Sequence, residues 1–138
     1  MVGGDAESFE RARPLFSIVG ENVFHMGGIG MGQAMKLCNN LLALANLNVV
    51  DEALSLARAA GIDETRMIEI ASVSTGDSWA LRNFHTLTGL FKMIGPDGGS
   101  LAKVAEKDMI LVRAFGEQTG VALPFTELAL RRHREKFP

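Results

Sequence analysis

Only one cysteine, Cys38, occurs in the 138 residues, so no disulfide framework holds the chain and a reducing compartment is expected. Charge of neither sign dominates. A formal net charge of −2 provides no basic surface for nucleic acid or an acidic membrane. Long apolar runs are also lacking: the stretch from Leu37 to Val50 is broken by Asn39, Asn40, Asn46 and Asn48 and is too short to span a bilayer. The start, Met1-Val2-Gly3-Gly4-Asp5, has no charged segment followed by an apolar one, so no secretory leader is read and a cytoplasmic location is expected. The three histidines, His25, His85 and His133, share no metal-ligand spacing with acids or with Cys38, and structural roles are expected for them. No internal repeat or low-complexity tract is present. What remains is 47% hydrophobic and 22% charged, an ordinary globular composition in a chain long enough for one domain with a proper core.

The chain is organised around the stretch from Gly27 to Gly61, a glycine-rich turn feeding one long helix. From Gly30 to Ala60 there is no proline and, after Gly32, no glycine until Gly61, a natural residue to close the helix. Such a helix is roughly 45 Å long, enough to cross a small domain. Met35, Leu37, Cys38, Leu41, Leu42, Leu44, Leu47, Val49, Val50, Ala53, Leu54, Leu56 and Ala57 occupy most of its circumference. A helix this apolar is expected to be surrounded by others, from its own chain or a partner's.

Before it, Asp5 caps a predicted helix over Ala6 to Ile18, with Pro14 as an expected kink or stop, and Asn22 to Met26 reads as a short strand without an obvious partner. After it, Asp63 caps a helix of Glu64 to Val73, with Met67, Ile68, Ile70 and Ala71 facing inward. Ser78 caps a shorter helix through Trp79, Leu81 and Phe84, where Trp79 and Phe84 read as core or, for Trp79, as a pocket rim. Residues 85–100 are the least regular part, with one helical turn expected around Leu87, Leu90, Phe91, Met93 and Ile94. Ser100 opens a second long helix, Leu101 to Thr119, whose expected apolar stripe is Val104, Met109, Ile110, Leu111, Ala114 and Phe115. Pro124 begins a last helix, Phe125 to about Lys136, with Leu128 and Leu130 packed. The expected fold class is all-α, a multi-helix bundle around one long central helix.

Two features of the long helix bear on chemistry. Strand, then Gly28-x-Gly30-x-Gly32, then helix suggests a phosphate cradle, but the spacing is not Gly-x-Gly-x-x-Gly and Asp51 lies inside the helix. Lys36 and Asn40 are four apart and share a face, one turn past the glycines. One account has Lys36 snorkelling to solvent and Asn40 bonding to a neighbouring backbone group. The other places Lys36 near the positive helix end among apolar neighbours, which disfavours the ammonium and suits proton exchange near neutral pH. Asn40 would then hydrogen-bond a hydroxyl or carbonyl held beside the amine. Cys38 reads as a core packer.

The pattern Gly27-x-x-Gly30-x-Gly32-x-x-x-Lys36-x-x-x-Asn40 resembles the catalytic signature of the β-hydroxyacid dehydrogenases, which include 3-hydroxyisobutyrate dehydrogenase. Similarity continues through Glu52-Ala53-Leu54, Leu56, Gly61 and Ser78-Trp79, resumes at Lys107-Asp108 with Leu111, and ends near Pro124. The resemblance implies a C-terminal helical domain similar to that of 6-phosphogluconate dehydrogenase. Residues 1–26 would be the trailing edge of an absent N-terminal dinucleotide-binding domain, a βα/β remnant that explains the lone strand, and 27–138 the catalytic-lysine and dimerisation domain.

Residue by residue, the resemblance implies Lys36 as general acid/base and Asn40, with Gly30 and Gly32, on the substrate side. Lys107 matches a lysine near the nicotinamide, although on spacing alone it reads as an exposed helix lysine beside Glu106 and Lys103. NAD or NADP is the implied cofactor, a small 3-hydroxy acid the substrate, and an upstream dinucleotide-binding domain and a second copy of the chain the partners. Ser100 departs from the pattern, since many members carry phenylalanine seven residues before that lysine; a more hydroxylated substrate, such as a four-carbon sugar acid, is one expectation from it. A chain without the dinucleotide fingerprint is expected to show no turnover alone. The alternative is a non-catalytic helical dimerisation or ligand-binding module.

Overall fold

The computed structural model describes residues 1–93 and 100–137; the expected Ile94 turn residue and the glycine-rich stretch 95–99 lie outside the described residues. The elements are α1 (Ala6–Val19), α2 (Met31–Ala59), α3 (Glu64–Ala71), α4 (Trp79–Arg82), α5 (Phe84–Phe91), α6 (Leu101–Thr119) and α7 (Pro124–Lys136). The all-α reading therefore holds, with a 29-residue α2 as its longest element. The chain divides into two compact units, Met1–Asn39 and Asn40–Pro138.

In the first unit, Asp5 caps α1 by accepting from the Ser8 backbone N–H at 2.8 Å. That bond holds the Asp5 carboxyl below its usual value, so the cap is present at neutral pH and is lost as pH falls through the native titration. Pro14 sits inside α1 without ending it. The expected strand over Asn22 to Met26 is reduced to a single parallel bridge, Val2 to His25. Its partner is the N-terminal scrap: Val2 N donates to Phe24 O at 2.9 Å, Met26 N to Val2 O at 2.8 Å and Gly4 N to Gly27 O at 2.8 Å. His25 completes this unit, its ring stacked on the buried Phe9 at 4.7 Å and its Nε2 2.8 Å from Gly4 O.

The second unit is built on one stripe of α2. Leu47, Val50 and Leu54 recur at helical spacing and pack with Ala80, Leu81, Phe84, Phe91, Ala102 and Ala105 from α4, α5 and α6. Met67, Ile68 and Ala71 of α3 join them, but Ile70, expected inward, is exposed because it lies off that face. The helix ends as its sequence predicts: Gly61 takes φ +76°, and Ile62 N reaches back to Ala57 O at 2.9 Å.

The buried stripe of α6 is Ala102, Ala105, Met109, Val112 and Gly116, whereas Val104, Leu111 and Ala114 face solvent. Small residues win this face because α7 lies close: a Cβ on Gly116 would stand 2.6 Å from Leu123 Cδ1, in the turn leading into α7. On α7, Ala129, Leu130 and His133 are buried, and Leu128, expected to pack, is exposed. His133 ties the two helices together, its Nε2 2.8 Å from Ala102 O and its ring edge-on to Phe91.

Within the second unit α2 is covered only in part. Leu42, Val49 and Leu56, seven residues apart, are 64%, 58% and 72% exposed. Cys38, read as a core packer, is exposed, as is Trp79 at 56%, while Phe84 is core. Leu54 has 0% exposure at the centre of the cluster. Replacing it by alanine should cost about 2–5 kcal/mol, because the tightly held neighbours from several helices collapse only partly into the void. Urea unfolding followed by circular dichroism measures it, and a loss below about 1 kcal/mol would contradict this account of the core.

Candidate functional site

The glycines come first. Gly27 and Gly30 take φ +99° and +89°, and the turn they make leads directly into α2. Gly32 has a packing reason of its own. A Cβ there would lie 2.8 Å from Gly3 N and 3.1 Å from Met1 O, and one on Gly3 would meet Gly28 O at 2.8 Å. The two glycines thus let the N-terminal segment cross the first turn of α2 backbone to backbone. Lys36, one turn on, is exposed, with Met35 exposed and Leu37 half-buried. The apolar surroundings expected around its amine are not supplied by residues 1–39.

The second unit gathers the other polar residues. Asn40 is half-buried in α2, and its Nδ2 donates to Asp108 Oδ2 on α6 at 3.1 Å. Lys107 donates from Nζ to the other oxygen, Asp108 Oδ1, at 2.9 Å. The Asp108 side chain is 18% exposed and that of Lys107 is 62% exposed. Asn40 and Lys107, remote in sequence, therefore meet on one carboxylate. Sequence reasoning quoted Asp108 only as part of a Lys-Asp match and gave it no role. No local signal could have done so, because its partner on α2 is 68 residues away.

Ser100 has a structural use: its hydroxyl caps α6, accepting from Lys103 N at 3.3 Å. A serine at this position is explained by the helix start, without reference to a hydroxylated substrate. Among the described residues no three His, Cys, Asp or Glu side chains cluster as a metal ion would require, and no helix is long and apolar enough to cross a membrane.

A helical domain led by a glycine turn, with an Asn–Asp–Lys cluster bridging its two longest helices, is the class of domain defined so far. The chain belongs to the family described as NAD-binding of NADP-dependent 3-hydroxyisobutyrate dehydrogenase, which matches residues 30–135. It is 36% identical over 138 residues to the NAD-dependent L-serine dehydrogenase of Pseudomonas aeruginosa, covering 97% of this chain and 46% of that protein. It is 35% identical over 133 residues to the 3-hydroxyisobutyrate dehydrogenase of the same organism, covering 94% and 45%. Among solved structures it resembles the Mycobacterium tuberculosis 3-hydroxyisobutyrate dehydrogenase described with L-serine. The TM-score is 0.83 at 26% identity, over 98% of this chain and 48% of that one. The chain thus spans about half the length of the relatives it matches.

NAD or NADP is the cofactor of this family. Lys107, the lysine that the sequence resemblance places beside the cofactor, is an exposed cation with one contact to Asp108 and ammonium protons to spare. The Gly-x-Gly-x-x-Gly fingerprint that would hold the pyrophosphate is absent from the sequence.

Substituting Gly32 by alanine should destabilise the first unit by about 1–3 kcal/mol, since the added carbon meets backbone on the opposing side and no side chain can yield. Faster hydrogen exchange at the Val2, Gly4 and Met26 amides, with the second unit unchanged, is the expected result. Unaltered exchange at those amides would refute the close-packing role.

Proposed function

We propose that this chain is the helical part of an NAD(P)-dependent β-hydroxyacid dehydrogenase, in which Lys36 exchanges the proton of the substrate hydroxyl. The observation that carries the proposal is the meeting of Asn40 and Lys107 on Asp108. Two residues singled out for substrate and cofactor are joined by one carboxylate although they come from different helices. A helix that served only to pack would have no need of a half-buried asparagine there.

The nicotinamide, when bound, supplies the hydride acceptor or donor. The chain's own residues do the rest. Lys36, one turn from Asn40 by sequence spacing, takes or returns the hydroxyl proton. Asn40 holds the same oxygen by hydrogen bonding, and Lys107 holds the cofactor edge. Because Lys36 is exposed, the apolar cover that would ease loss of its proton has to come from a dinucleotide-binding domain acting with this chain. On this reading residues 1–26 belong to the edge of that domain, and 27–138 form the catalytic-lysine domain.

The relatives named for L-serine and 3-hydroxyisobutyrate point to one substrate class. Both compounds are a primary alcohol one carbon away from a carbon bearing carboxylate, and they differ only in the third group on that carbon. We place the substrate of this chain in that class. The exposed apolar residues Leu42, Val49 and Leu56 on α2, with Phe125 and Leu128 on α7, favour a second copy of the chain as partner. They are also what a purely dimerising module would show, so catalysis has to be tested at Lys36.

In the complete enzyme, Lys36→Ala should lower kcat roughly 10²–10⁴-fold, the usual worth of a positioned acid/base, with cofactor affinity retained. Steady-state kinetics with L-serine and 3-hydroxyisobutyrate, alongside cofactor titration, provides the measurement. Near-normal turnover would leave the dimerisation module as the better reading. The 138-residue chain by itself should show no NAD(P)-dependent oxidation of either acid.

A further inference from the structure

The cluster on α2 and α6 contains a residue that none of the roles above uses. Asp108 has both carboxylate oxygens engaged, Oδ2 by Asn40 Nδ2 at 3.1 Å and Oδ1 by Lys107 Nζ at 2.9 Å. A carboxylate only accepts hydrogen bonds. Asn40 must therefore turn its NH₂ toward Asp108, and its carbonyl oxygen Oδ1 must face away. An asparagine in a less constrained place could present either end, because the two ends have nearly the same shape. Here the choice is made by a neighbour with no donor to offer.

We propose that Asp108 is a positioning residue: it pins the Asn40 carboxamide so that Oδ1 is the atom offered to a hydrogen-bond donor, and it holds Lys107 in register beside it. The inference rests on the dehydrogenase reading for its consequence in turnover, but the placement of the amide stands or falls by itself. The chemistry that meets a free carbonyl oxygen is a donor, such as the ammonium of serine; the amide proton that Asn40 does not give to Asp108 is left for the hydroxyl oxygen whose proton Lys36 exchanges. A bare carboxylate would be repelled there.

The burial pattern supports an organising role. The Asp108 side chain is 18% exposed, so its bonds compete with little water, whereas Lys107 at 62% exposure keeps its amine accessible. The two bonds are charge-assisted and therefore stronger than neutral ones, which suits a group that fixes others. Asparagine in place of Asp108 has nearly the same shape but only one acceptor oxygen. That oxygen can stay with Lys107 while the new NH₂ faces Asn40, which is then free to turn its own oxygen inward and lose the pinned orientation.

The decisive measurement needs no turnover. In the full chain, one of the two Asn40 side-chain amide protons should exchange with solvent more slowly than its geminal partner, and Asp108→Asn should abolish the difference. Equal, rapid exchange of both protons in the unaltered chain would overturn the proposal. In the complete enzyme, Asp108→Asn should lower kcat by about 10²-fold, as expected when a reacting group is misplaced by roughly an ångström. Combined with Asn40→Ala, it should add little beyond the Asn40→Ala loss, because Asp108 acts through that amide. Fully additive losses would refute positioning through Asn40. Failure of the dehydrogenase reading shows elsewhere, as near-normal turnover of Lys36→Ala, and leaves the exchange result to decide the placement.

Discussion

The structure depends on the burial of one stripe of α2, formed by Leu47, Val50 and Leu54. These side chains hold α4, α5 and α6 in the second unit, and Leu54 is fully enclosed among them. The same constraint sets the site. Asn40 lies on α2 before that stripe begins, and Asp108 lies on α6, whose Ala102 and Ala105 are bound into it. A polar bond between two helices keeps its length only if the helices cannot slide, and the apolar contacts prevent sliding. The Asn40–Asp108 bond is thus set on packed helices instead of on loops.

Small residues make the frame compact. Ala80, Ala102 and Ala105 enter the core where larger side chains would push the helices apart, and Gly116 admits Leu123 at a distance no Cβ would tolerate. This choice also explains why hydrophobicity alone misjudged α6. Val104 and Leu111 are more apolar than the alanines, yet they face solvent, because the tight contact with α5 and α7 selects for size. Periodicity marks a helix well and its buried face less well when small residues line the contact.

Much of the fold was legible because its signals are local. Ser100 and Gly120 bracket α6, Asp63 opens α3 and Gly61 closes α2, and each acts through a backbone bond within a few residues of itself. The bounds of α6 follow the sequence expectation, Leu101 to Thr119. What escaped is long-range. The partner of the Asn22–Met26 segment is Val2, some twenty residues earlier, and only folding brings the two together. Asp108 escaped for the same reason. Lys36, Asn40 and Lys107 could be picked out from their spacing and resemblance, but nothing local ties Asn40 to a carboxylate on α6.

The exposed apolar residues complete the argument about function. Leu42, Val49 and Leu56 lie on the face of α2 that its own unit does not cover, and Phe125 and Leu128 are open on α7. Scattered singly they would need no explanation, but seven-residue spacing puts all three on one side of the helix. Lys36, toward the start of the same helix, is open as well. An acid/base lysine, the role proposed for Lys36, works through a proton it can lose near neutral pH, and water around it opposes that loss more than an apolar cover would. The lysine and the apolar side therefore share one requirement, that further surface closes over α2. Under the proposed function, a second copy would answer it for the apolar side, and a dinucleotide-binding domain would answer it for the lysine. On this view the helix is the common support on which catalysis and assembly are both built.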